Sequence, residues 1–312
     1  MTESKYFLGV DIGGTNLRLA LANADGTILA RTSTTTTNVR DAHLVVAKIR
    51  ESVDHLLQQA GIARKAAAAI GVGAPGITNA QTGVVIATSY LMGWRDVPLK
   101  AMLEEQLGIP AAVDNDVNLA ALGESFYGAA KDARDFVFLA LGTGIGAGII
   151  LNGELFQGSN WTAGEVGYML VPGVPEMSVD IGKPGALESI AGGEGLRTQW
   201  QSLWSSDKTT LPQNLTATQI FDGALSGDAL ANAVLNRAAQ VLAYTIFDIT
   251  LILNTPLFVL GGSVGLHTAL LERTQAVVDA HARRLRPHLV LSSLGADAQL
   301  MGTIRLAQLT AR

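Results

Sequence analysis

No cysteine occurs among the 312 residues, which excludes disulfides and thiolate metal sites and suits a reducing compartment. Histidine is nearly as scarce: there are five, none between His55 and His267, so the middle of the chain offers no imidazole to a metal. Charged residues are 16% of the chain and sum to −5, and the basic ones cluster only at Arg283, Arg284 and Arg286. No nucleic-acid partner is expected, because binding a phosphate backbone needs a basic face. Long apolar runs are missing as well, each being cut by Gly, Asp or Asn short of a membrane span, so no membrane partner is expected. The first apolar segment begins at Tyr6, so neither a signal peptide nor a DNA-reading module is expected ahead of it, and the chain reads as cytoplasmic. What is abundant is apolar side chain, 48%, and glycine, 34 residues, on a length that suits two domains.

A repeat organises the chain. Tyr6–Asp11 reads as a buried strand, Gly13-Gly14-Thr15-Asn16 as a turn, Leu17–Asn23 as a strand, and Asp25-Gly26 as a second turn before Thr27–Thr32. Phe136–Leu141 opens the same series again, with the turn Gly142-Thr143-Gly144, a strand to Leu151, the turn Asn152-Gly153 and then Glu154–Phe156. Between the two, the pattern predicts a helix over Ala42–Ala60 closed by Gly61, a strand over Ala67–Val72, a helix over Leu99–Leu107, a strand over Pro110–Val113 and a helix over Val117–Phe126. The second half is expected to add a largely helical Ala224–Leu253, a strand over Leu257–Leu260, and helices near 266–285 and 296–309. Residues 157–186, rich in Gly and Pro, read as long ordered loops. Two meanders, each followed by alternating helices and strands, give an α/β class of mixed layers.

The two glycine turns carry the first chemical signal. A Gly-rich turn between strands exposes successive backbone N–H groups that converge on an anion, and Asp11-Ile12-Gly13-Gly14-Thr15 and Leu141-Gly142-Thr143-Gly144 each add a hydroxyl. Either turn alone is equally a tight hairpin; their recurrence in equivalent places favours a paired triphosphate site. A literal G-x-G-x-x-G at Gly71, Gly73 and Gly76 does not open a helix, so a dinucleotide site is rejected.

Around these turns the sequence resembles the ROK family of carbohydrate kinases. Beyond the two phosphate motifs, Gly73-Ala74-Pro75-Gly76, Gly93-Trp94, Asn115-Asp116 with Ala120-Ala121-Leu122-Gly123-Glu124, Ala163-Gly164-Glu165-Val166-Gly167, Leu187-Glu188 and Leu260-Gly261-Gly262 recur in family order. The resemblance implies an actin-like ATPase fold of two ribonuclease-H-like α/β domains with an interdomain cleft. Residues 1–118 and about 297–312 would form the smaller domain and about 119–296 the larger. It implies ATP held by Asp11, Gly13, Gly14, Thr15, Thr143, Gly144, Gly261 and Gly262, a water-mediated Mg²⁺ contact at Asp11, and a homodimer.

Phosphoryl transfer to a hydroxyl needs a carboxylate within hydrogen-bond reach of it. Asp116, between a strand end and a helix, suits that task. Alternatively it merely caps the helix, with Asp114 a solvated neighbour. The resemblance favours Asp116 as the general base. It places Gly76, Asn115, Glu165, Tyr168 and Glu188 at the sugar, where Asn115 can both donate and accept.

Two departures bear on the substrate. Many ROK kinases carry a His and three Cys that hold zinc; here Tyr168 stands for the His, and Val179, Ile181 and Ala186 for the Cys, so no zinc is expected. Tyr90 stands where glucokinase-like members tend to have Asn. Phenols can stack on a sugar or fill space. The sequence therefore leaves open a hexose phosphorylated on its primary hydroxyl, an amino sugar, a cyclitol, or a catalytically silent sugar-binding protein. A sugar-responsive repressor is disfavoured by the short segment before the first strand.

Overall fold

The computed structural model describes residues 5–37, 39, 41–88, 91, 93–172, 174, 183–281 and 284–311. The chain begins with the expected meander: β1 (Tyr6–Ile12), β2 (Asn16–Ala22) and β3 (Ile28–Thr35), paired antiparallel. All of β1 after Tyr6 is buried, as befits a strand covered on both faces. Helix α1 (Ala42–Ala60) starts where the Asp41 side chain accepts from His43 N and stops at Gly61, φ 66°, so both ends match the pattern read from the sequence. It leads to β4 (Ala67–Ala74), parallel to β1.

Three short strands, β5 (Ile77–Asn79), β6 (Val84–Ala87) and β7 (Arg95–Val97), then form a separate small sheet. Helix α2 (Leu99–Leu107), strand β8 (Ala111–Asn115) parallel to β4, and helix α3 (Asp116–Tyr127) follow. The main sheet is ordered β3-β2-β1-β4-β8.

The second series repeats this plan. Strands β9 (Phe136–Leu141), β10 (Ile145–Leu151) and β11 (Glu154–Leu155) form the meander. Helices α4 (Ala186–Ala191), α5 (Gly193–Leu203), α6 (Ala217–Leu225) and α7 (Ala229–Leu253) lead to β12 (Leu257–Gly261), parallel to β9. The segment Ala224–Leu253, expected to be largely helical, holds the end of α6 and the whole of α7. Gly227 turns the chain at φ 94°, and Asp228 caps α7 by accepting from Ala231 N. After α8 (Gly262–Gly265) and α9 (Thr268–His281), strand β13 (His288–Leu291) pairs parallel with β12. The order is β11-β10-β9-β12-β13, matching the first sheet position for position.

The chain returns as α10 (Ala298–Thr310), which packs on β1, β4 and α3. The approach is close: a Cβ on Gly302 would lie 1.7 Å from Leu119 O, and one on Gly71 2.0 Å from Thr303 O. Only hydrogen fits at either place.

The chain divides into two compact units, Met1–Gly128 with Gln157–Ala163 and Asp297–Arg312, and Ala129–Phe156 with Gly164–Ala296. A boundary at residue 118 would cut α3. The chain changes unit after Gly128 instead, because α3 packs whole against α10. Each unit has its own core, around Leu8, Val10, Ile49 and Val72 in the first and Trp200, Phe221, Leu242 and Phe258 in the second. No described helix is long and apolar enough to cross a membrane.

Candidate active site

The first turn lies between β1 and β2, closed by Gly13 N donating to Asn16 O at 2.8 Å. Its carbonyls are tied back to the end of β3 and the residue after it: Thr36 Oγ1 donates to Gly13 O, and Thr36 N and Thr35 Oγ1 donate to Thr15 O. Gly14 and Thr15 are exposed, and their N–H groups bond no described residue. Backbone N–H groups left unbonded in such a turn favour an anion.

The second turn is wired alike with different parts. Gly142 N donates to Gly144 O, while Gly193 N and Glu194 N at the start of α5 donate to Gly142 O and Thr143 O. The N–H groups of Thr143 and Gly144 bond no described residue. At the end of β12, Gly262 has φ 81° and stands so near β9 that a Cβ would lie 2.4 Å from Leu141 O; one on Gly261 would lie 2.3 Å from the Phe138 ring.

Asp11 is 7% exposed at the end of β1. Burial raises its pKa, while the charge and hydrogen bonds of Arg18 oppose the rise. Arg18 Nε and Nη2 both donate to Asp11 Oδ2, at 2.9 and 2.6 Å. Sequence reasoning overlooked Arg18, although the signal was present: a hairpin folded on residues 13–16 pairs positions 11 and 18.

The β8–α3 junction holds the proposed acid–base centre. The helix cap is Asn115, not Asp116: Asn115 Oδ1 accepts from Val117 N and Asn118 N, and Asn115 Nδ2 donates to Gly76 O at 2.9 Å. One side-chain N–H remains for another acceptor. Gly76, φ 94°, is held here because a Cβ would lie 2.3 Å from Ala87 O. Asp116 occupies the first turn of α3, where the helix dipole favours a carboxylate, and its Oδ1 accepts from Val117 N at 2.9 Å.

Asp114 is not the solvated neighbour of the capping alternative. It is 3% exposed and accepts from Asn115 N, Asn118 Nδ2 and Gln157 Nε2 at 2.7, 3.1 and 2.5 Å. Burial pushes its pKa up to about 6, against these hydrogen bonds.

In the second unit, Glu188 on α4 lies against the second turn. It accepts from Ile145 N, and a Cβ on Gly144 would lie 2.8 Å from its carboxyl carbon. Glu165 precedes the short 3-10 turn Val166–Tyr168. Glu165 is exposed as a residue, yet desolvation of its carboxyl, and then the like charge of Glu188, raise its pKa; burial also raises that of the half-buried Glu188, opposed by the Ile145 bond. Tyr168 is half-buried and donates its backbone N–H to Glu165 O. Tyr90, Val179 and Ile181 lie outside the described residues.

Comparison with known proteins places this arrangement. The chain is 34% identical over 271 residues to a glucokinase of Halalkalibacterium halodurans, covering 84% of this chain and 81% of that one. It is 30% identical to an N-acetylmannosamine kinase of Escherichia fergusonii, covering 96% and 98%. The solved structure of a ROK family glucokinase from Streptomyces griseus in complex with glucose and AMPPNP superposes with TM-score 0.76 at 27% identity, covering 97% and 99%. That likeness carries the actin-like ATPase fold expected from the sequence. The model of the ROK family matches residues 7–310, and the chain belongs to the ROK family.

Proposed function

We propose that this chain is an ATP-dependent carbohydrate kinase that uses Asp116 as general base. The observation that carries the reading is the pair of Gly-rich turns, each with two carbonyls tied back and two N–H groups that bond no described residue. Such donors suit the β- and γ-phosphates of a nucleotide. The kinase relatives, one of them holding glucose and AMPPNP, support the same donor and acceptor classes.

Asp116 takes the proton of the sugar hydroxyl as its oxygen attacks the γ-phosphorus; the bond from that phosphorus to the bridging oxygen breaks, and ADP leaves with the electron pair. Asn115 contributes its remaining N–H to the sugar, with Gly76, Tyr90, Glu165, Tyr168 and Glu188 as its other neighbours. Asp11, Gly13, Gly14, Thr15, Thr143, Gly144, Gly261 and Gly262 serve the nucleotide. No group of three or more His, Asp or Glu suited to a metal occurs among the described residues, and Asp11 offers only the oxygen that Arg18 leaves. That fits Mg²⁺ carried by the phosphates and reached by Asp11 through water, where the ion would neutralise charge on the transferred group. No zinc is proposed, since the sequence puts Tyr168 and apolar residues where ligands would be needed. The acceptor is a hexose or N-acylated amino sugar, the location the cytoplasm, and the assembly a homodimer.

Asp116→Asn is expected to lower kcat at least about 1000-fold while leaving the nucleotide Kd within about twofold. ADP release across hexoses, amino sugars and cyclitols, with nucleotide binding read by calorimetry, checks this. Turnover retained in the variant rejects Asp116 as base.

A further inference from the structure

The loop 157–163 packs with the first unit although the chain on either side belongs to the second. Two hydrogen bonds define it. Gln157 Nε2 donates to Asp114 Oδ2, and Ala163 N donates to Gln157 O at 3.3 Å, closing the neck. Asp114 immediately precedes Asn115 and Asp116, so the neck is fastened beside the start of α3. From Gln157 the chain can reach at most about 14 Å to residue 161, which keeps the crown of the loop near the same junction.

At that crown Trp161 has φ 63°; the other described non-glycine residues at positive φ are Asp96, Asn152 and Asn254. Asp and Asn tolerate that region, whereas a bulky side chain is strained in it. Glycine would adopt it freely, so the turn itself does not call for an indole. Nor does the core. Trp94 and Trp200 are buried, and Trp200 and Trp204 donate their indole N–H to Pro212 O and Leu211 O. Trp161 is only half-buried, and its indole N–H bonds no described residue. A broad apolar face edged by an unused donor suits a polyhydroxylated ring, with C–H groups on the π face and a hydroxyl accepting from the N–H.

We infer that Trp161 is the stacking platform for the phosphoryl acceptor and a specificity-determining residue of this kinase. It selects hexopyranoses that present an unbroken face of axial C–H bonds over rings that place an axial hydroxyl on that face. The inference rests on the sugar-kinase reading. Strain at Trp161 is offset by the two neck bonds, which hold the loop in place before a sugar arrives.

The test titrates wild type and Trp161→Phe with glucose, mannose, galactose, N-acetylmannosamine and myo-inositol, reading tryptophan emission without nucleotide. ADP release is measured separately on the same panel. Every ring that supports ADP release should perturb wild-type emission and fail to perturb that of Trp161→Phe. Trp161→Ala should raise the sugar KM about tenfold or more with the ATP KM within about twofold, and Trp161→Phe should fall between. Trp161→Gly removes the backbone strain, so it should fold at least as well as wild type and still show the high sugar KM. A phosphorylated ring that leaves emission unmoved, an equal response in Trp161→Phe, or a sugar KM within about twofold of wild type in Trp161→Gly overturns the inference. Emission changes without ADP release would keep the platform and reject the kinase reading; silence in both assays rejects both.

Discussion

Asp114 is a buried carboxylate whose hydrogen-bond partners, Asn115 N, Asn118 and Gln157, are all neutral. Its pKa rises from 3.8 to about 6 chiefly through burial. The native state therefore binds this proton more tightly than the unfolded chain. The resulting stabilisation is complete below 3.8 and is lost as pH rises through about 6. The gap corresponds to about 3 kcal/mol. Asp114→Asn keeps an acceptor for Asn115 N and lets Gln157 turn its carbonyl toward the new amide. Thermal unfolding from about pH 4 to about pH 7 should show a flatter profile for the variant and, at neutral pH, a melting temperature no lower than wild type. Parallel profiles would reject Asp114 as the source of the slope. The D-N-D run pointed to a site, but which of its carboxylates is buried depends on Gln157, 43 residues further along, and no local pattern carries that.

Elements were legible in proportion to their local signals. Helices α1 and α2 run as read; Gly61 marked the end of the first in the sequence, and Asp41 and Gly108 are seen as caps in the structure. The sheet β5–β7 was missed: its strands are three or four residues long, too short for a periodicity. Strand β13 was missed for the same reason, being four residues at a sheet edge. Helix α10 was expected near 296–309, but its seat was not. That seat depends on Gly302, whose hydrogen faces Leu119 O at a distance no methyl can occupy. Gly302→Ala should force α3 and α10 apart and cost about 3 kcal/mol, measured by urea unfolding. A midpoint within error of wild type would mean that the pair is free to slide.

At the scale of the molecule, the plan was readable because the chain states it twice: the strands starting at Tyr6 and Phe136 open sheets of the same order. The boundary was harder to place, since the segments that return to the first unit, 157–163 and 297–312, are fastened by contacts distant in sequence. The proposed homodimer is a further property of the whole. Leu251 and Ile252, 55% and 78% exposed near the end of α7, offer an apolar face for a second copy. Light scattering should give twice the 32.6 kDa of one chain, and Ile252→Lys should shift the protein toward that single mass; a monomeric wild type rejects the dimer. The repeated wiring of the turns has a further consequence. In a trans peptide the N–H and C=O point opposite ways, so a peptide flip at Gly13–Gly14 or Gly142–Thr143 would aim an oxygen at the bound anion. Thr36 holds the first of these oxygens and Gly193 N the second. The polarity of both turns is thereby locked in the absence of ligand, by groups that need never touch it.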